Sequence, residues 1–260
     1  MPRNKVIRVA VLRTAGTNCD VETAYAFTKV GAEADRVHVN RFVEKKGLLD
    51  GYQILALPGG FSYGDDIASG KLLANELRYR LEDEIRRFTE EGKLIIGICN
   101  GFQVLVKAGL LPGTKHQATL TNNDSGKFED RWVYLKSGDS RCIFLKSGDA
   151  IYLPVAHGEG KFVASAAALA EIRRKKMLAL EYVGPDGAAA PEYPWNPNGS
   201  LEAIAGICDP TGRIFGLMPH PERHVEPTQH PRWTRDGLQK EGDGVRIFRN
   251  AVEFARGNLL

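Results

Sequence analysis

The strongest indication of the fold is the segment Lys93-Leu-Ile-Ile-Gly-Ile-Cys-Asn-Gly-Phe-Gln103. A short apolar run ends at Cys99, and glycines stand two residues before and two residues after this cysteine. A helix is predicted from Phe102 until Gly109. This order of buried strand, tight turn and helix is a nucleophile elbow, which holds a reactive side chain at its apex. The positive end of the helix dipole favours a thiolate there, so the sequence predicts that Cys99 is a nucleophile and not merely a small buried residue.

Strands and helices alternate through the first half of the chain. The apolar stripe that runs from Leu73 to Phe88 has helical spacing and ends near Gly92. A further helix is expected at 17–30, and strands are expected at 6–12, 34–39, 53–57 and 94–98. This alternation predicts an α/β fold with a mostly parallel central sheet flanked by helices. Ligands bind such sheets beyond the carboxyl ends of the strands, and Cys99 lies at one of these ends.

The second half is less regular, and it predicts antiparallel additions to the sheet. Turn residues separate short apolar runs, which is typical of antiparallel strands. The expected strands are 131–135, 142–145, 150–155, 203–208 and 213–218, the helices are 164–175 and 244–256, and the long surface loops are 184–200 and 226–242. Because the sequence shows neither an internal repeat nor a linker, we expect a single domain over residues 1–260.

Composition and charge exclude several classes of function. The chain is 43% hydrophobic and 26% charged, as an ordinary globular protein is. A net charge of +3, spread over 35 basic and 32 acidic residues, gives no reason to expect nucleic acid as a partner. Signal-peptide and membrane-spanning patterns are missing from the sequence, and the four cysteines have neither disulfide-type nor zinc-type spacing. We expect a cytoplasmic chain with reduced thiols, no metal site and no membrane contact.

A cysteine nucleophile needs a base, and two segments offer a histidine with a carboxylate two residues later. In His220-Pro-Glu222 the proline favours an extended chain, which lets the imidazole and the carboxylate converge. His157-Gly-Glu159 has the same spacing, although its glycine suits close backbone approach to a ligand better. Spacing alone leaves this choice open.

Two other polar features are alternative candidates for a functional site. His220 and His224 could share a metal ion on a helical face, but Pro221 makes a helix there unfavourable and the sequence supplies no third ligand. Cys19 is a second thiol near a helix start. Because Cys19 lacks the strand and turn that precede Cys99, we interpret it as a small residue that begins a helix.

The glycine-rich segment Leu57-Pro-Gly-Gly-Phe-Ser-Tyr-Gly-Asp65 follows the third predicted strand. Its pattern is not that of a phosphate-binding loop, and the acidic pair Asp65-Asp66 would repel phosphate. Exposed backbone N–H groups in such a turn suit an oxyanion. We therefore expect an oxyanion hole made by the N–H groups of Gly60 and Asn100.

The motifs resemble those of class I, triad-type glutamine amidotransferases, which have a flavodoxin-like fold, and among these the glutaminase subunits of phosphoribosylformylglycinamidine synthase. The resemblance runs through nearly the whole chain and rests on Pro58–Asp65, Gly97–Gln103, Asn123–Trp132, Ala156–Gly160, Asn196–Ser200 and Met218–Arg223. It implies that Cys99 is the nucleophile, His220 the base and Glu222 its orienting carboxylate. It also implies substrate contacts at Gln103, and we expect others at His157 and Gly158. The segments 184–193 and 228–241 are longer than the family minimum.

The resemblance further implies a function that needs a partner. This chain would hydrolyse glutamine and pass ammonia to a separate synthase subunit, which converts formylglycinamide ribonucleotide to its amidine. ATP and Mg²⁺ would bind to that synthase subunit, no cofactor would bind to this chain, and a small third subunit could complete the assembly. Two alternatives stay open: a stand-alone cysteine hydrolase of the same fold, such as a peptidase or γ-glutamyl hydrolase, and a non-catalytic regulatory module.

Overall fold

A computed structural model describes residues 6–260 of the chain. Residues 1–5, which belong to the N-terminal stretch where no signal peptide is expected, lie outside the described residues. The strands are β1 (Arg8–Arg13), β2 (Glu33–His38), β3 (Ile54–Leu57), β4 (Leu94–Ile98), β5 (Ala118–Thr121), β6 (Glu129–Ser137), β7 (Ala150–His157), β8 (Lys161–Ala164), β9 (Leu178–Val183), β10 (Ile204–Cys208) and β11 (Ile214–Leu217). The helices are α1 (Asp20–Lys29), α2 (Val39–Glu44), α3 (Lys71–Arg80), α4 (Glu82–Glu90), α5 (Asn100–Lys107), α6 (Ala166–Arg174), α7 (Trp233–Asp236) and α8 (Val245–Asn258).

One nine-stranded sheet contains strands from both halves of the chain, in the order β2-β1-β3-β4-β11-β10-β9-β6-β7. The first five strands of this order are parallel, and every later pair is antiparallel. The order of the parallel part is that of a flavodoxin-like sheet. The predicted α/β class and the antiparallel additions are therefore confirmed, whereas the single-domain organisation stays a prediction.

The parallel strands are apolar because both faces of the sheet are covered. All residues of β3 and β4 are buried, as expected for central strands of a parallel sheet. The α5 helix contacts β3, β4 and β11, so the segment Lys93–Gln103 also fills the centre of the core. Since β3, β4 and β11 run in the same direction, the residues that follow them meet at one edge of the sheet.

Several predicted elements are wrong or incomplete. The predicted strand 142–145 is a turn, in which the N–H of Ile143 donates to the carbonyl of Gly212 at 3.0 Å. The apolar stripe from Leu73 to Phe88 is divided between α3 and α4, because the chain leaves helical geometry at Leu81 (φ −123°, ψ 12°). Strands β5, β8 and β9 and helices α2 and α7 were not predicted, and α7 lies within the expected surface loop 226–242. None of the helices within residues 6–260 combines the length and apolar character that crossing a membrane requires.

The expected surface loop 184–200 is only partly at the surface. Its final residues Asn196, Asn198 and Ser200 are almost fully buried. Their side chains satisfy backbone groups of neighbouring segments: Asn198 Nδ2 donates to the carbonyl of Gly160 at 2.9 Å, and Ser200 Oγ accepts from the N–H of Phe162 at 2.9 Å. The buried asparagine therefore bears on the site, because Gly160 follows the His157-Gly-Glu159 motif directly.

Candidate active site

Cys99 stands between β4 and α5 in a strained backbone conformation. Its φ of 51° and ψ of −105° are unusual for a residue with a side chain, and such strain is often found at functional sites. The N–H of Cys99 donates to the carbonyl of Leu217 at the end of β11, at 2.8 Å. A side chain at Gly101 would overlap the backbone carbonyl of Leu57, so the turn requires glycine there. The predicted elbow geometry is present.

His220 and Glu222 form a buried pair just beyond β11. His220 Nδ1 lies 2.6 Å from Glu222 Oε1, and the two residues are only 2% and 1% exposed. The N–H of His220 donates to the carbonyl of Pro154 at 2.8 Å, which fixes the backbone against β7. His220 Nε2 and Glu222 Oε2 are buried without a hydrogen-bond partner in residues 6–260. The imidazole therefore keeps one nitrogen free for another proton acceptor or donor.

Charge in this pair favours the imidazolium form of His220. Burial alone would lower the pKa of His220, but the negative charges of Glu222 and of Cys99 outweigh it, and the pKa is raised well above its ordinary value. Because the charge of Cys99 acts on this ring, the elbow and the His220–Glu222 pair belong to one electrostatic unit. This arrangement can hold a thiolate next to a protonated base, as a cysteine hydrolase requires.

Cys19 contacts this pair from a position that was not predicted. It precedes α1 as expected, yet its Sγ and ligand-type atoms of His220 and Glu222 all lie within 4.8 Å of one another. Arg223 Nη2 donates to Cys19 Sγ at 3.1 Å. Burial raises the pKa of the Cys19 thiol to about 11, although the nearby His220 acts in the opposite direction. Cys19 is thus a neutral thiol at physiological pH.

His157 has a different partner from the one that its motif offers. Its Nδ1 lies 3.1 Å from Asn123 Oδ1, which also accepts from the N–H of Gly160 at 3.0 Å. Asn123 Nδ2 donates to the carbonyls of Lys127 and His157, so Oδ1 must be the acceptor for Nδ1–H and Nε2 keeps its lone pair. Burial, together with the positive charge of His220, lowers the pKa of His157 to about 3. The ring is neutral and is not oriented by Glu159.

The oxyanion candidates lie at the carboxyl ends of β3 and β4. The carbonyl of Gly59 accepts from the N–H of Cys19 at 3.2 Å. Because the C=O and N–H of a trans peptide point in opposite directions, the N–H of Gly60 points away from the backbone of Cys19. Gly60 has a φ of 141°, which requires glycine. Asn100 is the first residue of α5, where helix N–H groups have no partner within the helix.

The side chains of Asn100 and Gln103 belong to a polar network next to Cys99. Asn100 Nδ2 donates to Asp65 Oδ1 at 3.1 Å and to Gln103 Oε1 at 3.0 Å. Gln103 Nε2 donates to the carbonyl of Glu159 at 2.6 Å. The network joins the glycine-rich segment, the elbow helix and the turn after β7. Asp65 and Asn123 have positioning roles that sequence spacing could not reveal, since each acts on a residue more than thirty positions away.

The structure thus gathers the segments that the sequence singled out. Residues after β3, β4, β7 and β11 meet at one edge of the sheet, which is where a parallel sheet binds its ligands. A strained cysteine beside a buried histidine–carboxylate pair is the arrangement of a cysteine-dependent acyl transferase or hydrolase.

Comparisons with known proteins identify the class. Residues 6–255 match the family described as CobB/CobQ-like glutamine amidotransferase domain, and the chain belongs to this family. A Dehalococcoides mccartyi protein named phosphoribosylformylglycinamidine synthase subunit PurQ is 52% identical and aligns with 96% of this chain and 98% of its own length. A Methanococcus maripaludis protein of the same name is 43% identical, with 96% and 97% aligned. A chain in the structure of PurLQS from Thermotoga maritima superposes with a TM-score of 0.74 at 34% identity, covering 96% of this chain and 99% of that chain.

Proposed function

We propose that this chain is the glutaminase subunit of a phosphoribosylformylglycinamidine synthase and that Cys99, His220 and Glu222 are its catalytic residues. The observation that carries the assignment of these residues is the buried contact of 2.6 Å between His220 and Glu222 behind the strained Cys99. The function itself is supported by relatives that are 52% and 43% identical over nearly their whole length and carry this name.

In the first half of the reaction, the Cys99 thiolate attacks the side-chain carboxamide carbon of glutamine. A C–S bond forms, and the carbonyl oxygen takes the negative charge. The N–H groups of Gly60 and Asn100 stabilise this oxyanion. The C–N bond then breaks, and His220 transfers its proton to the leaving nitrogen, which departs as ammonia. The raised pKa of His220 keeps that proton available at neutral pH.

In the second half, water hydrolyses the γ-glutamyl thioester. His220, now neutral, accepts a proton from the water while the new C–O bond forms. The C–S bond breaks, glutamate leaves and Cys99 returns to its thiolate form. Throughout the cycle Glu222 stays ionised, orients the imidazole through Nδ1 and stabilises its protonated form.

The substrate contacts proposed at Gln103, His157 and Gly158 fit the polar network of the site. Gln103 is held between Asn100 and the carbonyl of Glu159, which leaves one N–H of its amide for glutamine. His157 Nε2 is a buried acceptor without a partner in residues 6–260, so it can accept a hydrogen bond from an amine or amide. Gly158 follows directly; its carbonyl accepts from the N–H of Asn123 at 2.9 Å, so its own N–H is the group proposed to contact glutamine.

The ammonia is used by a partner. The synthase subunit converts formylglycinamide ribonucleotide to the amidine with ATP and Mg²⁺, and the name PurLQS of the Thermotoga maritima structure supports a further small subunit in such an assembly. No cofactor on this chain is part of the proposed reaction. We place the assembly in the cytoplasm, in line with four cysteines that are all free thiols.

The test uses the assembled complex and separates two sources of ammonia. Cys99→Ala should abolish amidine synthesis from glutamine and leave synthesis from added ammonium salts intact, because ammonia bypasses the thioester. Cys142→Ala, which removes another buried thiol, should leave both activities unchanged. Loss of both activities in a folded Cys99→Ala complex would contradict the division of labour. Full glutamine turnover without the synthase subunit would favour the stand-alone hydrolase.

A further inference from the structure

A cavity of about 520 Å³ lies between α3, the end of α5 and residues 111–119. Its basic lining residues are Lys71, Arg78, Lys107, Lys115 and His116. None of the residues that line it, all within the described part of the chain, is acidic, and the remaining polar side chains are threonines and a glutamine. The chain as a whole has 35 basic and 32 acidic residues, so this lining is far more basic than the chain average.

The positive charges of this basic cavity are poorly compensated. Within residues 6–260, no carboxylate lies within 4.0 Å of Lys71, Arg78 or Lys115. The closest carboxylate contacts of Lys107 and His116 are at 3.9 Å, to Glu159 and Glu171. Burial lowers the pKa of Lys107, and the neighbouring charge of Lys71 lowers it further, against the opposing effects of Glu159 and Asp65. The cations repel one another, and an anionic ligand would relieve that repulsion.

Helix dipoles do not reverse this preference. The negative end of α5 borders the cavity, but it amounts to about half an elementary charge, against four full positive charges of lysine and arginine. The ten-residue helix α3 begins at Lys71 and brings its positive end to the same cavity. The sum of these charges is strongly positive.

We propose that the basic cavity is a binding site for a phosphorylated small molecule. Arginine and lysine are the side chains that recognise phosphate groups. A volume of about 520 Å³ is large enough for a nucleotide-sized ligand as well as for inorganic phosphate. The acidic segment Asp65-Asp66, which argued against phosphate in the glycine-rich loop, does not line this cavity.

The cavity is connected to the oxyanion candidates through Lys107. Lys107 Nζ donates to the carbonyl of Ser69 at 2.6 Å, and Ser69 Oγ donates to Asp65 Oδ2 at 3.0 Å. The other oxygen of Asp65 accepts from Asn100 Nδ2 at 3.1 Å. A phosphate that draws Lys107 away from Ser69 would therefore loosen the support of Asn100. This part of the inference, a change of glutaminase rate on binding, rests on the proposed function.

Binding is tested by titration calorimetry on the full chain at about 0.15 M ionic strength, where long-range surface effects are largely screened. The probes are inorganic phosphate, ADP and adenosine. We expect saturable binding of phosphate or ADP and none of adenosine. The double variant Lys71→Gln/Arg78→Gln should weaken binding at least tenfold, whereas Lys45→Gln/Lys46→Gln, which removes the same charge from exposed residues elsewhere, should not.

Three outcomes would overturn the inference. They are no saturable binding of any phosphorylated probe, equal weakening in both double variants, and loss of complex assembly in the cavity variant without phosphate binding, which would assign the cavity to an acidic segment of the partner. The glutaminase arm is separate: kcat of the unaltered complex is measured with and without saturating probe. A binding failure leaves the Cys99→Ala result untouched, so the two proposals fail independently.

Discussion

The backbone N–H of Cys19 donates to the carbonyl of Gly59 at 3.2 Å. This hydrogen bond orients the peptide group between Gly59 and Gly60, which also contains the N–H of Gly60. The thiol sulfur of the same cysteine lies within 4.8 Å of a ring nitrogen of His220 and of a carboxylate oxygen of Glu222. Cys19 therefore supports both the proposed oxyanion hole and the proposed base. The segment before α1, which looked like an ordinary helix start in the sequence, joins two parts of the site.

Gly60→Ala should lower kcat for glutamine hydrolysis by about 10²- to 10³-fold, the effect of losing one oxyanion donor. The reason is its φ of 141° and the close approach of Asn18 N and Gly16 O, both 2.8 Å from where a Cβ would be. Gly109→Ala is the matched control, because Gly109 also has a positive φ but open space around it. Similar kcat losses in the folded Gly60→Ala and Gly109→Ala variants would contradict an oxyanion role for Gly60.

His220→Ala should remove nearly all glutaminase turnover, since general acid–base catalysis is ordinarily worth about 10²- to 10⁴-fold. His157→Ala should act mainly on KM for glutamine, because its neutral ring is bound to Asn123 and not to a carboxylate. Steady-state kinetics of both variants in the assembled complex separate the two cases. An equal fall in kcat with unchanged KM would leave the base unidentified and contradict the assignment to His220 alone.

The low pKa of His157 predicts a dependence of stability on pH. Its pKa in the folded chain is about 3, below the ordinary value of 6.5. Between these values the unfolded chain binds the extra proton, so stability falls as the pH falls. The integrated effect is about 2 kcal/mol of unfolding free energy between pH 7 and pH 5.

Chemical denaturation gives the free energy of unfolding of the unaltered chain and of His157→Gln at pH 7 and at pH 5. The change between the two pH values is then compared between the two proteins. His220 titrates with the opposite sign, because its pKa is raised, but it is common to both proteins and cancels. The glutamine variant should therefore lose about 2 kcal/mol less on going from pH 7 to pH 5. Parallel losses in the two proteins would show that His157 is not buried in neutral form.

Cys19→Ser should lower kcat about tenfold with little change in KM. A serine hydroxyl is a stronger donor than a thiol, and it would donate to Glu222 Oε2, which has no partner in residues 6–260, and so weaken the effect of the carboxylate charge on His220. A hydrogen bond to a charged group is worth about 1.5 to 3 kcal/mol, which is enough for such a change. The alkaline limb of the pH profile, where His220 loses the proton that it gives to the leaving nitrogen, should move to lower pH, because a better solvated Glu222 supports the imidazolium less.

The control for this substitution is Cys142→Ser, which makes the same chemical change at a buried thiol next to Cys208. It should leave both kcat and the pH profile unchanged, even if it costs stability. A merely structural role of Cys19 would lower stability without moving the pH profile. That result would remove Cys19 from the catalytic unit.

The parallel half of the fold could be predicted because its signals are local. Each residue of β4 is apolar and buried, and the glycine at 101 leaves room for the carbonyl of Leu57, which a side chain there would overlap. The second half was predicted less accurately, because the burial of its residues depends on segments that are distant in the sequence. Residues 142–145 are apolar like a strand but form a turn, and β9 pairs with β6 and β10, whose positions are not local to it.

The candidate site shows the same limit. The sequence predicted that His220 and Glu222 converge, but the reason was wrong: the proline favoured an extended chain, whereas Pro221–Arg223 form a short 3-10 helix directly after His220, and the 2.6 Å contact forms across that turn. Nothing in spacing could place Cys19 against His220, two hundred residues later, or Asn123 against His157. The buried Asn198 was missed because a segment rich in proline and glycine resembles a surface loop. Its amide is instead used to anchor the backbone at Gly160.

Partner docking should raise the glutaminase rate, and the hydrogen bond between Cys19 and Gly59 suggests which peptide group responds to it. Uncoupled turnover would waste glutamine, and the peptide between Gly59 and Gly60 can rotate because glycine has little φ preference. A rotation would break the 3.2 Å bond to Cys19 and turn the N–H of Gly60 away from its present direction. We expect kcat of the isolated chain to be about 10²- to 10³-fold below that of the complex with acceptor and ATP, the value of one oxyanion donor. Hydrogen exchange at the amide of Cys19 should slow on assembly. A ratio of kcat values near one, or unchanged exchange at this amide, would contradict a switch at the oxyanion hole.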